Sequence, residues 1–159
     1  MITLKTIDFQ KAVDEVSQAI KALGGNKSVT VGIHEGAGVH EGGEITMAQL
    51  GAVMEFGTDD LHIPARPWLV PGVESGTADY LKVIESGLQK DLPFDTILAK
   101  VGVKAEGLVK IYMTNLRSPP NAPSTIAKKG SDNPLIDSGA LRGSVTSAVQ
   151  STPLQEGLI

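Results

Sequence analysis

Three histidines and the carboxylates beside them are the first residues in this chain whose types could do chemistry. His34-Glu35 and His40-Glu41 offer imidazole and carboxylate ligands of the kind that hold zinc, with His62 a conceivable third. A helical zinc site needs histidines at i and i+4, so that both nitrogens face one ion. Here position 38 is Gly and glycines surround both histidines, so the stretch reads as a solvated loop, and no metal or other cofactor is expected. Gly36-Ala37-Gly38 fails as a dinucleotide loop because Glu41 stands where a third Gly is needed. Ser75, in Gly72-Val73-Glu74-Ser75-Gly76, misses the spacing of a nucleophile elbow. The absence of Cys excludes disulfides, thiol catalysis and thiolate metal sites. Lys128-Lys129, with Arg117 near in sequence, could touch phosphate, and solvation of a loop explains them as well.

One aspartate carries a sharper pattern. Leu135-Ile136-Asp137-Ser138-Gly139-Ala140 resembles the catalytic stretch of retroviral-type aspartic proteases. There, one Asp from each of two subunits shares a proton, since like charges so close cannot both ionise. The resemblance implies a homodimeric aspartic hydrolase using Asp137. Those folds need a strand-rich half after the aspartate, yet only 22 residues follow Asp137, and the pattern before it is mostly helical. Asp-Ser-Gly therefore reads first as a capped turn.

The elements that must position these residues follow from periodicity. Phe9, Val13, Val16, Ile20 and Leu23 recur at steps of three and four, which predicts an amphipathic helix over 8–23. Val29, Val31 and Ile33 alternate with Thr30, Gly32 and His34, a half-buried strand. The Gly- and Glu-rich run 35–44 has no period and predicts a mobile acidic loop. Thr46 and Gln49 fit a capping box opening a short helix that turns Met47, Leu50 and Met54 inward and stops at Gly57. Pro64, Pro67 and Pro71 then argue against regular helix through 61–71. Trp68, the only Trp, reads equally as an interaction hot spot or a core anchor.

A long helix broken at Pro93 is predicted over 77–116. One stripe is Leu81, Ile84, Leu88 and Leu92; the other is Ile97, Val101, Ala105, Leu108, Tyr112 and Leu116. Gly102 and Gly107 inside it mark either close packing or mere tolerance. Residues 117–134 are loop by composition. Asp137 or Ser138 then caps a turn through Ala140 and Leu141, and 144–149 forms a closing strand. The expected fold is α+β: a small, mostly antiparallel sheet packed by the N-terminal helix and the long broken one. Residues 1–150 form a single domain, and 151–159 a frayed tail.

With 159 residues the chain is one domain's worth, and 41% hydrophobic residues suffice for a core. The formal charge of −4 argues against binding nucleic acid through a global field, and 4% aromatics offer no base-stacking platform. No apolar run approaches a membrane span, and Asp8, Asp14 and Glu15 interrupt any secretory-signal layout. A soluble, cytoplasmic domain without membrane partners is expected.

Three segments gain meaning together. Residues 47–58 end in Glu55-Phe56-Gly57-Thr58, followed by Ile63-Pro64-Ala65-Arg66-Pro67-Trp68-Leu69. The third runs from Asn121-Ala122-Pro123-Ser124-Thr125-Ile126 through Lys129-Gly130-Ser131 to Pro134-Leu135-Ile136-Asp137-Ser138-Gly139 and Leu141-Arg142. In this order and spacing, over roughly 28–150, the chain resembles the small neck and tail-completion (tail terminator-like) proteins of tailed bacteriophages and prophages. Trp68 stands where Phe is expected, and the 35–44 loop is long. The resemblance implies a non-enzymatic virion protein at the tail or head–tail junction, assembled in the host cytoplasm. Such proteins form homo-oligomeric rings, often hexamers, that complete the tail tube and meet the head connector, with genomic DNA passing through unbound. It also accounts for Asp-Ser-Gly without a protease, and no catalytic residue is then expected. Arg66, Trp68, Arg117, Lys128, Lys129 and Arg142 are the candidate interface residues. Glu35, Glu41 and Glu44 are candidates to face a channel, where like charge keeps DNA from sticking. The segments 35–44 and 117–134 are expected to be arms that order on assembly.

Overall fold

The structure, a computed structural model, describes residues 27–34, 36–40, 43–60 and 62–151. The predicted helix over 8–23, Glu35, Glu41 and the tail beyond 151 lie outside the described residues. The chain divides into a unit of Val29–Val149 and a second of Met1–Ser28 with Gln150–Ile159; the architecture below is that of the first.

Strands β1 (Lys27–Ile33) and β2 (Val145–Ser151) form a two-stranded antiparallel sheet with helices packed on it, an α+β fold. His34 clips the strands together: its Nε2 lies 2.9 Å from Thr30 Oγ1 and its Nδ1 2.8 Å from Thr146 Oγ1. Both ring nitrogens are thus engaged within the sheet. After β1 the chain doubles back, with Val39 bridging Thr46 and His40 N–H donating to Ile45 O at 2.8 Å. Where described, the 36–46 stretch is therefore a turned-back loop leading into a helix.

That helix, α1 (Met47–Phe56), starts on the expected box, with Gln49 N donating to Thr46 Oγ1 and Thr46 N to Gln49 Oε1. It buries Met47, Gly51 and Glu55 and stops at Gly57, whose φ is 73°. A Cβ there would lie 2.6 Å from Ile63 O, so neither the dihedral nor the space admits a side chain.

Residues 62–68 are free of helix, as the prolines require, but helix α2 (Leu69–Glu74) begins within the stretch and takes in Pro71, which corrects the expectation for its last three residues. Pro71 is its third residue, in the turn where backbone N–H groups have no helical partner to lose. The predicted broken helix is two helices, α3 (Thr77–Gln89) and α4 (Phe94–Asn115), with Pro93 at the N-cap of the second. The α3 stripe is also corrected. Leu81 and Leu88 are 57% and 46% exposed, and Gly87 turns inward instead. A Cβ on Gly87 would sit 2.6 Å from Ile97 Cγ1, so the absent side chain sets how near α3 lies to α4. On α4 the buried line is Ile97, Gly102, Ala105, Val109 and Met113, with Leu108, Tyr112 and Leu116 half-buried beside it. Helix α4 meets α2 at Gly72–Val109, α3 at Gly87–Ile97 and the sheet at Gly102–Ser147, so its buried face is wider than one stripe. Gly102 is thus a close-packing glycine, whereas Gly107 faces open space.

The predicted 117–134 loop contains α5 (Pro123–Lys129), which has Pro123 in its first turn and left-handed Gly130 at its end. Both signals are legible in the sequence. Helix α6 (Ala140–Gly143) has left-handed Gly139 at its N-cap and no side-chain cap; Ser138 Oγ accepts from Ala140 N only at 3.4 Å, and Asp137 caps nothing. The core gathers Trp68, Val109, Met113, Leu135, Leu141 and Val145. No helix among the described residues is long and apolar enough to cross a membrane.

Candidate functional site

The segments that carry the resemblance are interlocked. Glu55, buried at the end of α1, accepts from Trp68 N (2.6 Å), Leu69 N (2.9 Å) and Val70 N (3.4 Å). A carboxylate from one helix thus satisfies the opening N–H groups of α2 and complements the positive end of its dipole. Trp68 is 3% exposed, and its Nε1 donates to Gly51 O at 3.0 Å. Gly51 is where a Cβ would crowd the indole, 3.2 Å from its ring. Of the two readings of Trp68, the core anchor is the correct one, and its side chain offers no interface.

Arg66 is corrected in the same way. Its guanidinium is buried, with Nε donating to Pro119 O at 2.9 Å and Nη2 to Pro120 O at 3.1 Å. Burial pushes its pKa down from the usual arginine value. This fork ties the start of the 117–134 segment to the body, opposite to the expected free arm.

The other end of that segment is tied by Asn133, which sequence reasoning missed. Its Nδ2 donates to Thr114 O (2.9 Å) and Met113 O (3.4 Å), carbonyls left over at the end of α4. Its Oδ1 accepts from Leu135 N (2.9 Å) and Ile136 N (3.0 Å), and its backbone oxygen accepts Lys129 Nζ at 3.0 Å. The Asn133-Pro134 dipeptide is a turn signal that pointed here. For Glu55 the sequence held no comparable signal, because its partners are set by the fold.

These ties enclose a cavity of about 200 Å³. Its floor is apolar, from Leu50 and Met54 of α1 with Leu135 and Leu141; Arg66, Asn121, Thr125, Lys129, Asp137 and Ser138 supply its polar wall. Lys128 joins Ser124, Thr125, Lys129 and Asp137 around an adjoining depression. The fold therefore brings Arg66, Lys128, Lys129 and Asp137 to one place. Arg117 and Arg142 lie apart from that lining: Arg117, exposed, donates to Thr114 O and Leu116 O at the end of α4, and Arg142 donates to Thr114 Oγ1 at 3.1 Å. Glu44 is exposed.

Ion pairs of Lys110 with Glu106 and of Lys104 and Lys82 with Asp79 lie elsewhere on the helices. Lys110 beside Glu106, with Nζ–Oε1 at 2.6 Å, holds that carboxyl below the usual range against the opposing effect of burial, with help from Ser147 Oγ. Lys104 does the same for Asp79, assisted by Lys82. Tyr80 is pushed up, chiefly by burial, and its hydroxyl donates to Val73 O at 2.7 Å.

Among the described residues, no group of three or more His, Asp or Glu could hold a metal ion. A scan of protein-family models and searches of curated proteins and of solved structures return no match to this chain.

Proposed function

We propose that this chain is a structural virion protein of a tailed bacteriophage. It completes, terminates or joins the tail at the head–tail junction by assembling into a homo-oligomeric ring of the often hexameric kind. Its partners are further copies of itself, the tail tube and the head connector; its place is the virion, reached from the host cytoplasm. Genomic DNA passes without specific binding, and exposed Glu44 is compatible with a channel that repels it.

The observation that carries this reading is the surface. Phe56 is 78% and Val103 68% exposed, and Val70, Leu81, Leu88 and Ile111 are exposed with them. Large apolar side chains left exposed on four helices suit a subunit whose faces are covered by neighbours. The interlocking of residues 55, 66, 68 and 133 also supports it, since it gives the three segments behind the resemblance one shared framework.

The test is the mass of the protein in solution across concentration, alone and with isolated tails or heads. A ring, or a monomer that joins one of those particles, is expected. A strict dimer indifferent to both overturns the proposal. It would turn attention to Asp137 as a shared-proton carboxylate, to be examined with a statine-type inhibitor and Asp137→Asn.

A further inference from the structure

Among the described residues Phe56 is the most exposed of the large apolar side chains, and it stands at the end of α1 beside a short acidic turn. That turn is pinned by the Thr58–Ile63 bridge and carries Asp59 and Asp60, both exposed. The combination is an apolar knob with two carboxylates next to it.

The cavity described above has the complementary character. Its floor is Leu50, Met54, Leu135 and Leu141, and Thr125, Asp137 and Ser138 edge it as exposed residues. Lys129 lines it and Lys128 lines the adjoining depression, two cations against the single carboxylate, Asp137, among the described lining residues. An apolar group flanked by acid is what such a mouth accepts.

Knob and hole cannot meet within one copy. Met54 lines the cavity, and Phe56, two residues on, projects about 200° round the helix from it, toward the opposite side of α1. A contact that joins one face of a subunit to a different face of the next is heterologous, and repeated it closes a ring or grows a filament.

We propose that Phe56 of one copy seats in the cavity of a second copy, with Asp59 and Asp60 set against the second copy's Lys128 and Lys129. This rests on the ring reading above and names the contact that builds the ring. Phe56 acts as the anchor, and the charges orient its approach.

The experiment follows assembly mass across concentration for the full chain and two variants, Phe56→Ser and Thr125→Trp. Both positions are exposed, so neither change disturbs the core. Phe56→Ser removes the knob and Thr125→Trp obstructs the mouth. Each alone raises the concentration for half-assembly at least about 30-fold, the scale of losing a central aromatic anchor. Mixed in equal amounts, the two variants retain one intact knob and one intact hole per pair, so dimers form and growth stops there. A Phe56→Ser variant that assembles like the parent overturns this contact while leaving the ring reading intact. A mixture that stays monomeric overturns the contact too, as does one that grows past dimers. A parent chain that assembles neither alone nor on tails or heads removes the ring reading, and the contact falls with it.

Discussion

Replacing Asn133 with Ala removes one side chain that makes four hydrogen bonds, three of them at 3.0 Å or shorter. Leu135 is buried, so its N–H loses Oδ1 with no access to water, costing about 1–2 kcal/mol. Ile136 is half-buried, and water replaces part of its lost bond, leaving about 0.5–1 kcal/mol. Thr114 O keeps Arg117 as a donor, so that loss is also about 0.5–1 kcal/mol. With the long 3.4 Å bond to Met113 O left out, the sum is about 3 kcal/mol, or a fall in Tm of about 6–12 °C for a chain of this size. Asn133→Asp separates acceptor from donor. It keeps an oxygen for Leu135 and Ile136 but turns a second one toward Thr114 O, so it destabilises comparably at neutral pH. Its carboxyl is then favoured in the protonated form when folded, which places its folded pKa above the unfolded value. The variant therefore recovers stability relative to the parent as pH falls through that raised pKa. Thermal and urea unfolding from pH 4 to 8 read both effects. A loss under 1 kcal/mol for Asn133→Ala, or no acid recovery for Asn133→Asp, would refute the role given to this residue.

Glu55→Ala leaves Trp68 N and Leu69 N without their acceptor in a buried setting and destabilises by about 3–5 kcal/mol, whereas Glu55→Gln, which keeps one acceptor oxygen, loses less; urea unfolding ranks them. Gly87→Ala drives a methyl into Ile97 and costs about 1–3 kcal/mol, while Gly107→Ala, facing open space inside α4, stabilises by up to about 1 kcal/mol. Glu106 has its folded pKa held below the usual value by Lys110. The stability it contributes is therefore present above the unfolded carboxylate pKa of about 4.3 and is lost as pH falls through the lower folded one. Lys110→Met should flatten that acid decline, and equal slopes in parent and variant would count against the pair.

Legibility differed between elements for physical reasons. The α1 box, the Gly57 stop, β1 and β2 were readable because each rests on neighbours in sequence: a reciprocal cap, a left-handed glycine, a period of two. Helix α5 was readable in principle from Pro123 and Gly130 but was outweighed by the prolines around it. The inward stripe of α3 was not readable. Leucine spacing finds the apolar side of a helix, but the side that packs was chosen by Gly87, whose fit to Ile97 lies across the hairpin. Likewise the composition of Arg66 and Trp68 suits an interface as well as an interior, and only their partners at Pro119, Pro120 and Gly51 separate the two.

By itself the sequence determined the α+β class, the punctuation of α1 and the lack of thiol chemistry. These depend on periodicity, capping and composition, which act over a few residues or none. The tertiary structure decided that Glu55 caps a helix beginning 14 residues later, that Arg66 and Asn133 fasten the two ends of residues 117–134, and that Lys129 and Asp137 share a cavity with Leu50 and Met54. Each joins groups far apart in the chain. Which buried donor meets which acceptor is set by the packing of whole helices, not by any residue's neighbours in sequence.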